Sequence, residues 1–563
     1  MSEFRVVCGN APAFWFDSPH ARILVTDASQ VRAAIDDAQA ALDGGYWVAG
    51  YLSYELGAAL AGLPMRQSVW PLVSLGVFSE PRSVPLDRRG EGSTMSPLLA
   101  TINGTCYDDA IAKIRHAIYD GDVYQVNYTL PFAFDFAGDP FAWWSAIASE
   151  TGSRYQAFVE DGDRVVCSWS PELFLAFDGD RVETRPMKGT APIHAIADLD
   201  SVKNRAEHLM IVDLLRNDLH RICDDVRVEA LFHVERYPTF ATMTSTIAGE
   251  LRRDVSLFDV LRAAFPCGSV TGAPKRAAME QIAARESTPR DAYCGSVGFL
   301  SPQRRGWWNV AIRTAQFDRT HAAARFDAGG GIVADSTAAS EWSELVLKTR
   351  FVRAHAEAPE VWETFASDAS VETIEAHLER LAVTAERFGI TYDAQALRHD
   401  VDKKCATATD LRLLRLRLYA GGTYALFDEP LLRDDRAVRI CLAPETVRSD
   451  DPFLRWKTAW RPGLNRAAAY AREHGCFDAL VSNERGELTE GSRTNLFIQS
   501  DGVMWTAPVA CGLLPGILRG RLVSRGQARE RVLTPADLAG ADAIFVGNSA
   551  RGLLLARVIE EPS

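Results

Sequence analysis

Hydrophobic positions along this chain alternate between the spacing of helices and the spacing of strands. The alanine-rich residues 31–42 predict a helix, and residues 371–388 predict another. Residues 201–219 place apolar side chains at 209, 212, 215 and 219, the stripe of an amphipathic helix. Residues 173–186 predict a strand, an Asp-Gly-Asp turn and a second strand, which together make a hairpin. Helices mixed with strands in this way predict an α+β fold.

The length of the chain predicts more than one domain. At 563 residues it exceeds what one hydrophobic core normally accommodates, so two or three domains are expected. We place the main boundary in the short polar segment RAHAEAP, residues 353–359. It separates a first domain, residues 1–355, from a second, residues 360–563. Within the first domain, residues 1–85 form an accessory segment and residues 107–352 form the catalytic core.

Composition and charge narrow the classes of function. The chain is 47% hydrophobic and 24% charged, which is typical of a globular protein. A net charge of −13 argues against a nucleic-acid or anionic-membrane surface, although a local basic pocket for an anionic metabolite remains compatible with it. Ten cysteines without a Cys-x-x-Cys pair indicate reduced thiols. With no signal segment and no membrane span in the sequence, we expect a cytoplasmic protein.

Lys188 is the first candidate for chemistry. It stands between Pro186, which restricts the backbone, and Gly189, which allows a close turn, so its amine has a defined direction. An ordinary lysine has a pKa of about 10.4 and needs desolvation or a base before it can attack carbon. The predicted hairpin would return Lys188 to the neighbourhood of Glu172, a possible base. The alternative is an ordinary cross-strand ion pair on a solvated sheet.

Three glutamates on two predicted helices form a second candidate group. Glu207 lies near the apolar edge of the helix over residues 201–219, and Glu341 and Glu344 lie three residues apart, on one face of another helix. Three carboxylates could hold Mg²⁺, which keeps several waters and takes few protein oxygens. Each glutamate alone is more typical of a protein surface.

Glycine-rich segments supply candidate anion sites. Residues 265–275, FPCGSVTGAPK, form a glycine loop that leads into a helix with Pro274 as its first residue. Gly329, Gly330 and Gly331 predict a second such loop, and Arg313 lies in the strand-like run NVAIRTAQF. A glycine loop alone is a weak signal.

Together these segments resemble the chorismate-utilising enzymes, the family of anthranilate synthase component I and aminodeoxychorismate synthase component I. The resemblance covers about residues 107–352, and WVAGYLSYELG near the amino terminus is similar to the family's companion segment. Its motifs, in family order, are GDVYQVN, SPELF, RPMKGT, RAEHLMIVDLLRNDL, GSVTGAPK, YCGSVGFL, NVAIRT, GGGIVADS and EWSELVLK. The resemblance implies a large chorismate-binding domain of packed β-sheets with peripheral helices.

The resemblance also assigns roles to individual residues. It implies that Mg²⁺ is bound in the first domain, that chorismate and ammonia react there, and that Glu172 acts as general base. The implied Mg²⁺ ligands are Glu207 and Glu344, with Glu341 lining the same site. The groups implied to hold the substrate are Arg313, Lys348, Gly329, Gly330 and Thr271.

Lys188 and Thr242 distinguish branches of this family. Anthranilate synthases usually carry Ala at the position of Lys188, whereas aminodeoxychorismate synthases of this type carry a Lys that attacks the ring as the 4-hydroxyl leaves. A family histidine is replaced here by Thr242, which cannot act as an imidazole acid or base near neutral pH. The replacement favours an amino product over anthranilate, although some salicylate-forming relatives also carry Thr at this position.

The second domain contains another lysine and acid pair. Lys457 and Glu490 are what pyridoxal 5'-phosphate requires, an amine for its Schiff base and a carboxylate for its pyridinium nitrogen. Taken alone, the pair is more typical of a structural ion pair. The further motifs HLERL, TAP, LPGILR and GNS follow in order and resemble the class IV aminotransferases over about residues 361–554.

That resemblance implies a two-lobed α/β domain that binds pyridoxal phosphate. Lys457 would carry the cofactor, Glu490 would contact its ring nitrogen, and Arg380, Ile517 and Ser549 would hold its phosphate. Branched-chain aminotransferases usually have Tyr five residues after the lysine, where this chain has Pro462. Arg461 instead matches the K-T-x-x-R pattern of the lyases in this family.

The two implied activities make chemical sense in succession. The first domain would produce aminodeoxychorismate, and the second would remove pyruvate from it to leave p-aminobenzoate, the folate precursor. No glutaminase signature is present, so ammonia would come from solution or from a separate glutamine amidotransferase subunit, and the second domain is a possible site of homodimerisation. Two alternatives stay open: an anthranilate or salicylate synthase fused to a branched-chain or D-amino acid aminotransferase, and a module that binds chorismate or tryptophan without turnover.

Overall fold

A computed structural model describes most of the chain, and it divides into two compact units. The first comprises Met1–Ser93, Leu98–Phe134 and Gly138–Ala356, and the second comprises Glu357–Ser563 with the short pieces Thr94–Pro97 and Asp135–Ala137. The division after Ala356 lies inside the predicted segment 353–359, whereas the sequence offered no signal for the two short pieces. The described residues are 4–9, 13–84, 93–102, 104–192, 196, 199, 201–238, 240–320, 323–353, 356–433 and 436–559.

Strands predominate up to residue 357, and the helices there are fewer. The strands are β1 Phe4–Gly9, β2 Ala13–Asp17, β3 Ala21–Val25, β4 Trp47–Leu52, β5 Val73–Phe78, β6 Arg82–Val84, β7 Ser93–Met95, β8 Leu99–Ala100, β9 Gln125–Phe134, β10 Phe136–Ala137, β11 Ala157–Asp161, β12 Arg164–Ser168, β13 Leu173–Asp178, β14 Arg181–Arg185, β15 Met187–Pro192, β16 Cys223–Arg236, β17 Phe240–Leu251, β18 Gly272–Ala273, β19 Ser296–Leu300, β20 Arg305–Asn309, β21 Thr314–Asp318, β22 Ala323–Ile332 and β23 Ala356–Glu357. The helices are α1 Val31–Asp43, α2 Glu55–Ala61, α3 Gly104–Tyr119, α4 Pro140–Thr151, α5 Val202–His220, α6 Leu257–Ala264, α7 Lys275–Arg285 and α8 Ala338–Thr349.

Two large antiparallel sheets form the first unit. The strand order of one is β18-β9-β22-β21-β12-β11-β1-β2-β6, with β8 added on β9. The order of the other is β15-β17-β14-β13-β20-β19-β4-β5-β3, with β16 added on β17. Val6 of the first sheet packs in one buried cluster with Tyr51 and Phe299 of the second, so the core lies between the two sheets. The predicted α+β class is confirmed.

Several local predictions agree with the structure. The helix predicted over residues 31–42 is α1, and the hairpin predicted over residues 173–186 is the antiparallel pair β13 and β14. The helix predicted over residues 201–219 is α5, whose amino terminus is capped by the Ser201 hydroxyl. Its buried stripe differs in one position, because Leu209 is 45% exposed and His208 is fully buried in its place.

Other local predictions were wrong. Arg313 lies between β20 and β21 with a φ of 50°, so the run NVAIRTAQF breaks into two strands instead of forming one. Gly329, Gly330 and Gly331 lie inside β22 and pair with β9, so they form a strand and not a loop. Pro274 is the residue that caps α7 rather than its first helical residue. Residues 1–85 supply strands to both large sheets, so they are part of the core instead of an added layer.

One buried arginine joins several elements of the first unit. Arg290 is 2% exposed, and its guanidinium donates to both carboxylate oxygens of Glu286 at 2.8 and 2.7 Å. It also donates to the carbonyl oxygens of Val270 and Asn127 at 2.8 and 2.7 Å. Glu55, at the start of α2, accepts the Arg290 backbone N–H at 2.8 Å. The four side-chain hydrogen bonds tie α7, the glycine loop and β9 together.

Beyond residue 357 strands and helices alternate. The strands are β24 Val361–Ala366, β25 Arg412–Leu418, β26 Tyr424–Pro430, β27 Val438–Val447, β28 Asp478–Asn483, β29 Leu488–Gly491, β30 Asn495–Ser500, β31 Val503–Thr506, β32 Arg529–Glu530, β33 Ala543–Asn548 and β34 Gly552–Val558. The helices are α9 Val371–Arg387, α10 Ala394–Ala406, α11 Pro462–Glu473, α12 Ile517–Ser524 and α13 Pro535–Ala539.

The second unit has two sheets with separate cores. Strands β24, β25 and β26 form a small antiparallel sheet, and its buried core includes Phe365, Leu381 and Leu397 from the sheet and from α9 and α10. The order of the larger sheet is β29-β28-β27-β34-β33-β30-β31-β32, with both parallel and antiparallel pairs. These are the two lobes that the sequence predicted. A further sheet of three short strands has the order β10-β7-β23.

Two findings concern the chain as a whole. Each of the ten cysteines is a free thiol, as the sequence predicted. Across the described residues, no helix combines the length and the apolar character needed to cross a membrane.

Replacing Arg290 with Met tests its structural role. We expect the change to destabilise the first unit by about 3–5 kcal/mol, because it leaves the Glu286 carboxylate buried without its partner. Urea unfolding followed by circular dichroism measures the effect. The matched control is Arg276→Ala on α7, whose ion pair with Glu280 is exposed, and it should change stability by less than about 0.5 kcal/mol. Equal losses of unfolding free energy in the two variants would show that the buried pair contributes no more than an exposed ion pair.

Candidate active sites of the two units

Lys188 lies on β15, where the backbone pairs with β17. Its Nζ lies 3.5 Å from Oε2 of Glu207, and the two side chains are 17% and 21% exposed. Glu207 reaches this position from α5, which packs against β15 and β17. The structure therefore brings together two residues that the sequence assigned to separate tasks, attack on the substrate and metal binding.

Glu172 lies beside Lys188 in a deeply buried position. Its side chain is 3% exposed, and hydrogen bonds from the Ser269 hydroxyl and the Met187 backbone N–H reach its carboxyl group. Burial raises the pKa of Glu172 to about 7, against the effect of those hydrogen bonds and of the positive charge of Lys188. Its Oε1 has no hydrogen-bond partner among the described residues. A carboxyl group that titrates near neutral pH suits a general acid or base.

The glycine strand forms a wall of the Lys188 site. A side-chain carbon at Gly331 would lie 2.9 Å from Lys188 Nζ and 2.9 Å from Gln125 Nε2, and one at Gly330 would lie 3.1 Å from Glu341 Oε2. Gln125 is fully buried, and both polar atoms of its amide lack a partner within the described part of the chain. Glycine is thus required here for close approach. Gln125 is a candidate binding residue that sequence reasoning missed, although it lies in the GDVYQVN motif.

The carboxylates proposed for Mg²⁺ are not gathered into one site. Glu344, 54% exposed in its side chain, pairs with Lys348 at 2.7 Å, and Lys348 also donates to the Gly329 carbonyl oxygen at 2.7 Å. Glu207 pairs with Lys188. No group of three or more His, Cys, Asp or Glu side chains in the described residues could hold a metal ion. The oxygen donors suit Mg²⁺ chemically, but the arrangement does not, so Mg²⁺ stays a prediction.

Arg313 and Thr271 have contacts of their own with aromatic rings and with the glycine loop. The Arg313 guanidinium lies over the rings of Phe240 and Phe351, 4.2 and 5.8 Å from their centroids, and burial lowers its pKa to about 10. It forms no ion pair with a described carboxylate, which leaves it available for an anion. The Thr271 hydroxyl donates to the carbonyl oxygens of Cys267 and Gly268, both at 3.2 Å, and so braces the glycine loop. Their roles as substrate ligands stay predictions.

Thr242 and His208 lie on either side of the Lys188 turn. The Thr242 hydroxyl donates to the Gly189 carbonyl oxygen at 2.6 Å, so this residue supports the turn that follows Lys188. His208 is fully buried, its Nε2 lies 2.7 Å from the Ser245 hydroxyl, and its Nδ1 has no partner among the described residues. Burial, with the charge of Lys188, lowers the pKa of His208 to about 4. A neutral imidazole thus lies near Lys188, and the predicted helix stripe did not include it.

In the second unit, Lys457 is surrounded by charged side chains. Burial lowers its pKa to about 8, helped by the positive charges of Arg380 and Arg461 and opposed by Glu363 and Glu490. Glu490 is 4% exposed and accepts from Arg461 Nη2 at 2.8 Å and from the Leu514 N–H at 3.1 Å. The structure therefore brings the predicted pair Lys457 and Glu490 into one site. Arg461, which served in the sequence analysis only to distinguish subfamilies, is a member of that site.

A buried chain of hydrogen bonds connects Arg380 to Ser549. Arg380 donates to both carboxylate oxygens of Glu363 at 2.8 and 2.7 Å, and this contact helps to lower the pKa of Glu363 to about 2 against the effect of burial. His377 Nδ1 lies 2.5 Å from Glu363, and its Nε2 lies 2.7 Å from the Ser549 hydroxyl. Because ionised Glu363 only accepts, His377 Nδ1–H donates to it and the Ser549 hydroxyl donates to His377. Glu363 and His377 were not predicted as site residues.

These residues fit pyridoxal phosphate. Helix α12 begins at Ile517 after Gly516 and has free backbone N–H groups at its amino terminus, which suit a phosphate. The Thr458 hydroxyl and Arg461 Nε are buried polar atoms without partners among the described residues. A lysine of lowered pKa, a buried carboxylate and a helix amino terminus are the three groups that this cofactor needs. Because its hydroxyl is taken by His377, Ser549 would contact a phosphate through its backbone N–H.

The first unit is built of two packed sheets and contains a buried site with a lysine and glutamates. The second unit has two lobes and contains a lysine of the kind that binds a cofactor. The family model described as chorismate binding enzyme matches residues 9–354, more than half of the chain, and the chain belongs to that family. The model described as amino-transferase class IV matches residues 360–559. The family resemblances seen in the sequence are thus confirmed for both units.

Relatives of two kinds match the first unit. Aminodeoxychorismate synthase component 1 of Klebsiella aerogenes is 34% identical over 339 residues, which are 53% of this chain and 74% of that protein. Anthranilate synthase component 1 of Aquifex aeolicus is 38% identical over 256 residues, 43% of this chain and 51% of that protein. The crystal structure of anthranilate synthase component I from Streptococcus pneumoniae has a TM-score of 0.53 at 22% identity, and covers 62% of this chain and 92% of its own. That likeness carries the fold alone.

The lowered pKa of Lys457 predicts its chemical reactivity. Only the neutral amine reacts with an acylating reagent, so labelling of Lys457 in the cofactor-free protein should accelerate with pH and level off above about 8. An ordinary lysine would continue to accelerate to about pH 10.4. Competitive labelling followed by peptide mass spectrometry measures the midpoint, and Lys457→Arg identifies the correct peptide. A midpoint near 10 would show that Lys457 is not desolvated.

Proposed function

We propose that the chain makes p-aminobenzoate from chorismate in two steps. The first unit aminates chorismate at C4 to give 4-amino-4-deoxychorismate, and the second removes pyruvate from that product. The observation that carries the proposal is the amine of Lys188, which lies against Glu207 and beside buried Glu172. A nucleophilic lysine in this position favours amination over the formation of anthranilate.

In the first unit Lys188 acts as nucleophile and Glu172 as its proton partner. Burial raises the pKa of the Glu172 carboxyl to about 7, which suits this group to take a proton from an amine and return it within one catalytic cycle. The Lys188 nitrogen then bonds to the ring, the bond to the 4-hydroxyl breaks, and the proton held by Glu172 leaves with that oxygen as water. Ammonia subsequently bonds to C4, and the bond to Lys188 breaks as the amine leaves.

Other groups of the first unit bind and orient the substrate. Chorismate carries two carboxylates, and Lys348 and Arg313 are the cations that we assign to them. The amide of Gln125 faces the Lys188 site through the gap at Gly331, and we assign it to a hydroxyl or carboxylate of the substrate. Ammonia is supplied by a separate glutamine amidotransferase. Glu207 and Glu344 are the residues that would hold Mg²⁺, and no step here depends on the metal.

In the second unit pyridoxal phosphate, when bound, accepts electrons from the substrate that is attached to it. Lys457 holds the cofactor, and as a free amine of lowered pKa it takes the ring proton at the carbon that bears the nitrogen. Burial raises the pKa of Glu490, while Arg461 and the Leu514 N–H act in the opposite direction, and this carboxyl group would contact the cofactor's ring nitrogen. The amino terminus of α12, Arg380 and the Ser549 backbone would hold its phosphate. Loss of pyruvate leaves an aromatic ring, and aromaticity drives the step.

The proposal is tested by product analysis on the full-length chain. Incubation with chorismate, ammonia, Mg²⁺ and pyridoxal phosphate should yield p-aminobenzoate and pyruvate, detected by chromatography. Lys457→Ala should accumulate 4-amino-4-deoxychorismate, and Lys188→Ala should stop amination while added 4-amino-4-deoxychorismate is still converted. Lys113→Ala and Lys403→Ala, which change exposed lysines of the two units, are the controls. Fluorescent anthranilate or salicylate without p-aminobenzoate would refute the proposal.

Gly331→Ala tests the position of Lys188 without removing its amine. The new methyl group would lie 2.9 Å from Lys188 Nζ, so the amine must move, and we expect amination to fall at least about tenfold. Stability should change little, because the nearest atoms are the ends of side chains. Gly104→Ala, which adds a methyl group in open space, is the control for the substitution. Unchanged amination in Gly331→Ala would contradict the position of Lys188 in the reaction.

A further inference from the structure

Two arginines of the second unit flank one aromatic ring without a carboxylate partner. The guanidinium carbon of Arg493 lies 5.6 Å from the centre of the Phe477 ring, and that of Arg551 lies 5.9 Å from it. Neither arginine forms an ion pair within the described residues, in a unit where most arginines do. The Arg493 side chain is exposed and that of Arg551 is half-buried, so water screens their mutual repulsion and both can be reached by an anion from solvent.

The nearest acids are already engaged. Glu429 attracts Arg551 from a distance but forms its ion pair with Arg415 at 2.6 Å. Asp478 lies below Arg493, and its buried carboxylate accepts from the hydroxyls of Ser492 and Thr494, both at 2.5 Å. Burial lowers the pKa of Arg551, and Arg493 lowers it further. Asp478 and Glu429 attract Arg493 and Arg551 through space, but neither carboxylate forms an ion pair with them, so both guanidinium groups can still bind an anion.

The backbone holds the two arginines together. The Asn548 side chain donates to the Arg493 carbonyl oxygen at 3.2 Å and accepts from the Arg551 N–H at 3.0 Å. The Arg493 N–H donates to Asp478 at 3.3 Å, which anchors its loop to β28. Both arginines therefore start from rigid positions, which reduces the entropy lost when they bind a ligand.

Both arginines belong to loops that build the Lys457 site. Arg493 follows Glu490 in the turn between β29 and β30, and Arg551 follows Ser549 in the turn between β33 and β34. Glu490 and Ser549 are the residues assigned to the ring nitrogen and the phosphate of the cofactor. Both arginines therefore extend from turns that also carry residues assigned to the cofactor.

We propose that Arg493 and Arg551 together bind a carboxylate of the amine substrate, and that they select anionic ring amines over neutral ones. The inference rests on the proposed function of the second unit, whose substrate bears a ring carboxylate opposite its amine. Such a carboxylate can accept from one guanidinium on each side, while Phe477 supports both cations through its ring face. The pair therefore decides specificity and takes no part in the movement of protons.

Steady-state kinetics on the full-length chain tests the pair. With added 4-amino-4-deoxychorismate, Arg493→Gln and Arg551→Gln should each raise KM about tenfold and leave kcat within about threefold. Arg493→Lys and Arg551→Lys should recover much of the loss, since a cation is restored. Arg557→Gln, an exposed arginine on β34, is the matched control and should leave KM unchanged. An unchanged KM in the double Gln variant would overturn the inference.

Binding of the product and a neutral analogue separates this inference from the proposed function. Calorimetric titration with p-aminobenzoate and with p-aminobenzamide requires no turnover. The double variant should bind p-aminobenzoate at least about tenfold more weakly, while its affinity for p-aminobenzamide stays that of the unchanged chain. An equal loss for both probes would show a structural role and overturn the inference. If the unchanged chain binds p-aminobenzoate but converts no 4-amino-4-deoxychorismate, the proposed lyase activity is refuted. The comparison of the two ligands still tests the arginine pair in that case.

Discussion

The buried contact between Arg290 and Glu286 holds the first unit in its working shape. A desolvated guanidinium needs an opposite charge and hydrogen-bond acceptors, and Arg290 takes them from Glu286, from the glycine loop and from β9. The glycine loop carries Ser269, which contacts Glu172, and β9 carries Gln125, which faces Lys188 across Gly331. One charge placed away from the reacting atoms thus sets the distance between two walls of the site. The same requirement makes the contact costly to break.

Lys188 and Lys457 have different surroundings, and the difference lies in the charges of their neighbours. Lys188 lies against the carboxylate of Glu207, and Glu172 is the nearby group that we propose takes its proton. Lys457 lies near the cations Arg380 and Arg461 in a buried position, which favours its neutral form. A lysine that attacks a neutral ring carbon can lose its proton to a base during the reaction. A lysine that holds an aldehyde cofactor must be neutral before the cofactor binds.

The fused arrangement places successive reactions in one chain. An intermediate released from the first unit meets a tethered second site at a higher local concentration than a free enzyme would offer. Both sites must also recognise a molecule with carboxylates. We assign Arg313 and Lys348 to this purpose in the first unit, and we propose the pair formed by Arg493 and Arg551 in the second. Unpaired or weakly paired cations at each site, in a chain of net charge −13, are consistent with anionic substrates.

Local geometry and family membership could be predicted from the sequence alone. Helix periodicity located α1, α5 and α9, and the Asp-Gly-Asp turn located the hairpin of β13 and β14, because these signals depend on neighbouring residues. Ordered motifs identified both families and the lysines Lys188 and Lys457. These features need no knowledge of how distant segments meet.

Only the tertiary structure decided which groups share a site and in what state of charge. The sequence placed Gly329–331 in a loop and Arg313 in a strand, but pairing with β9 extends the glycines and a positive φ breaks the strand at Arg313. Gln125, His208, Glu363 and His377 became site residues only through contacts between distant segments. The pKa values of Glu172 and Lys457 likewise depend on burial and on charges far away in sequence. Burial and through-space charge are properties of the folded chain, and no local pattern of residues encodes them.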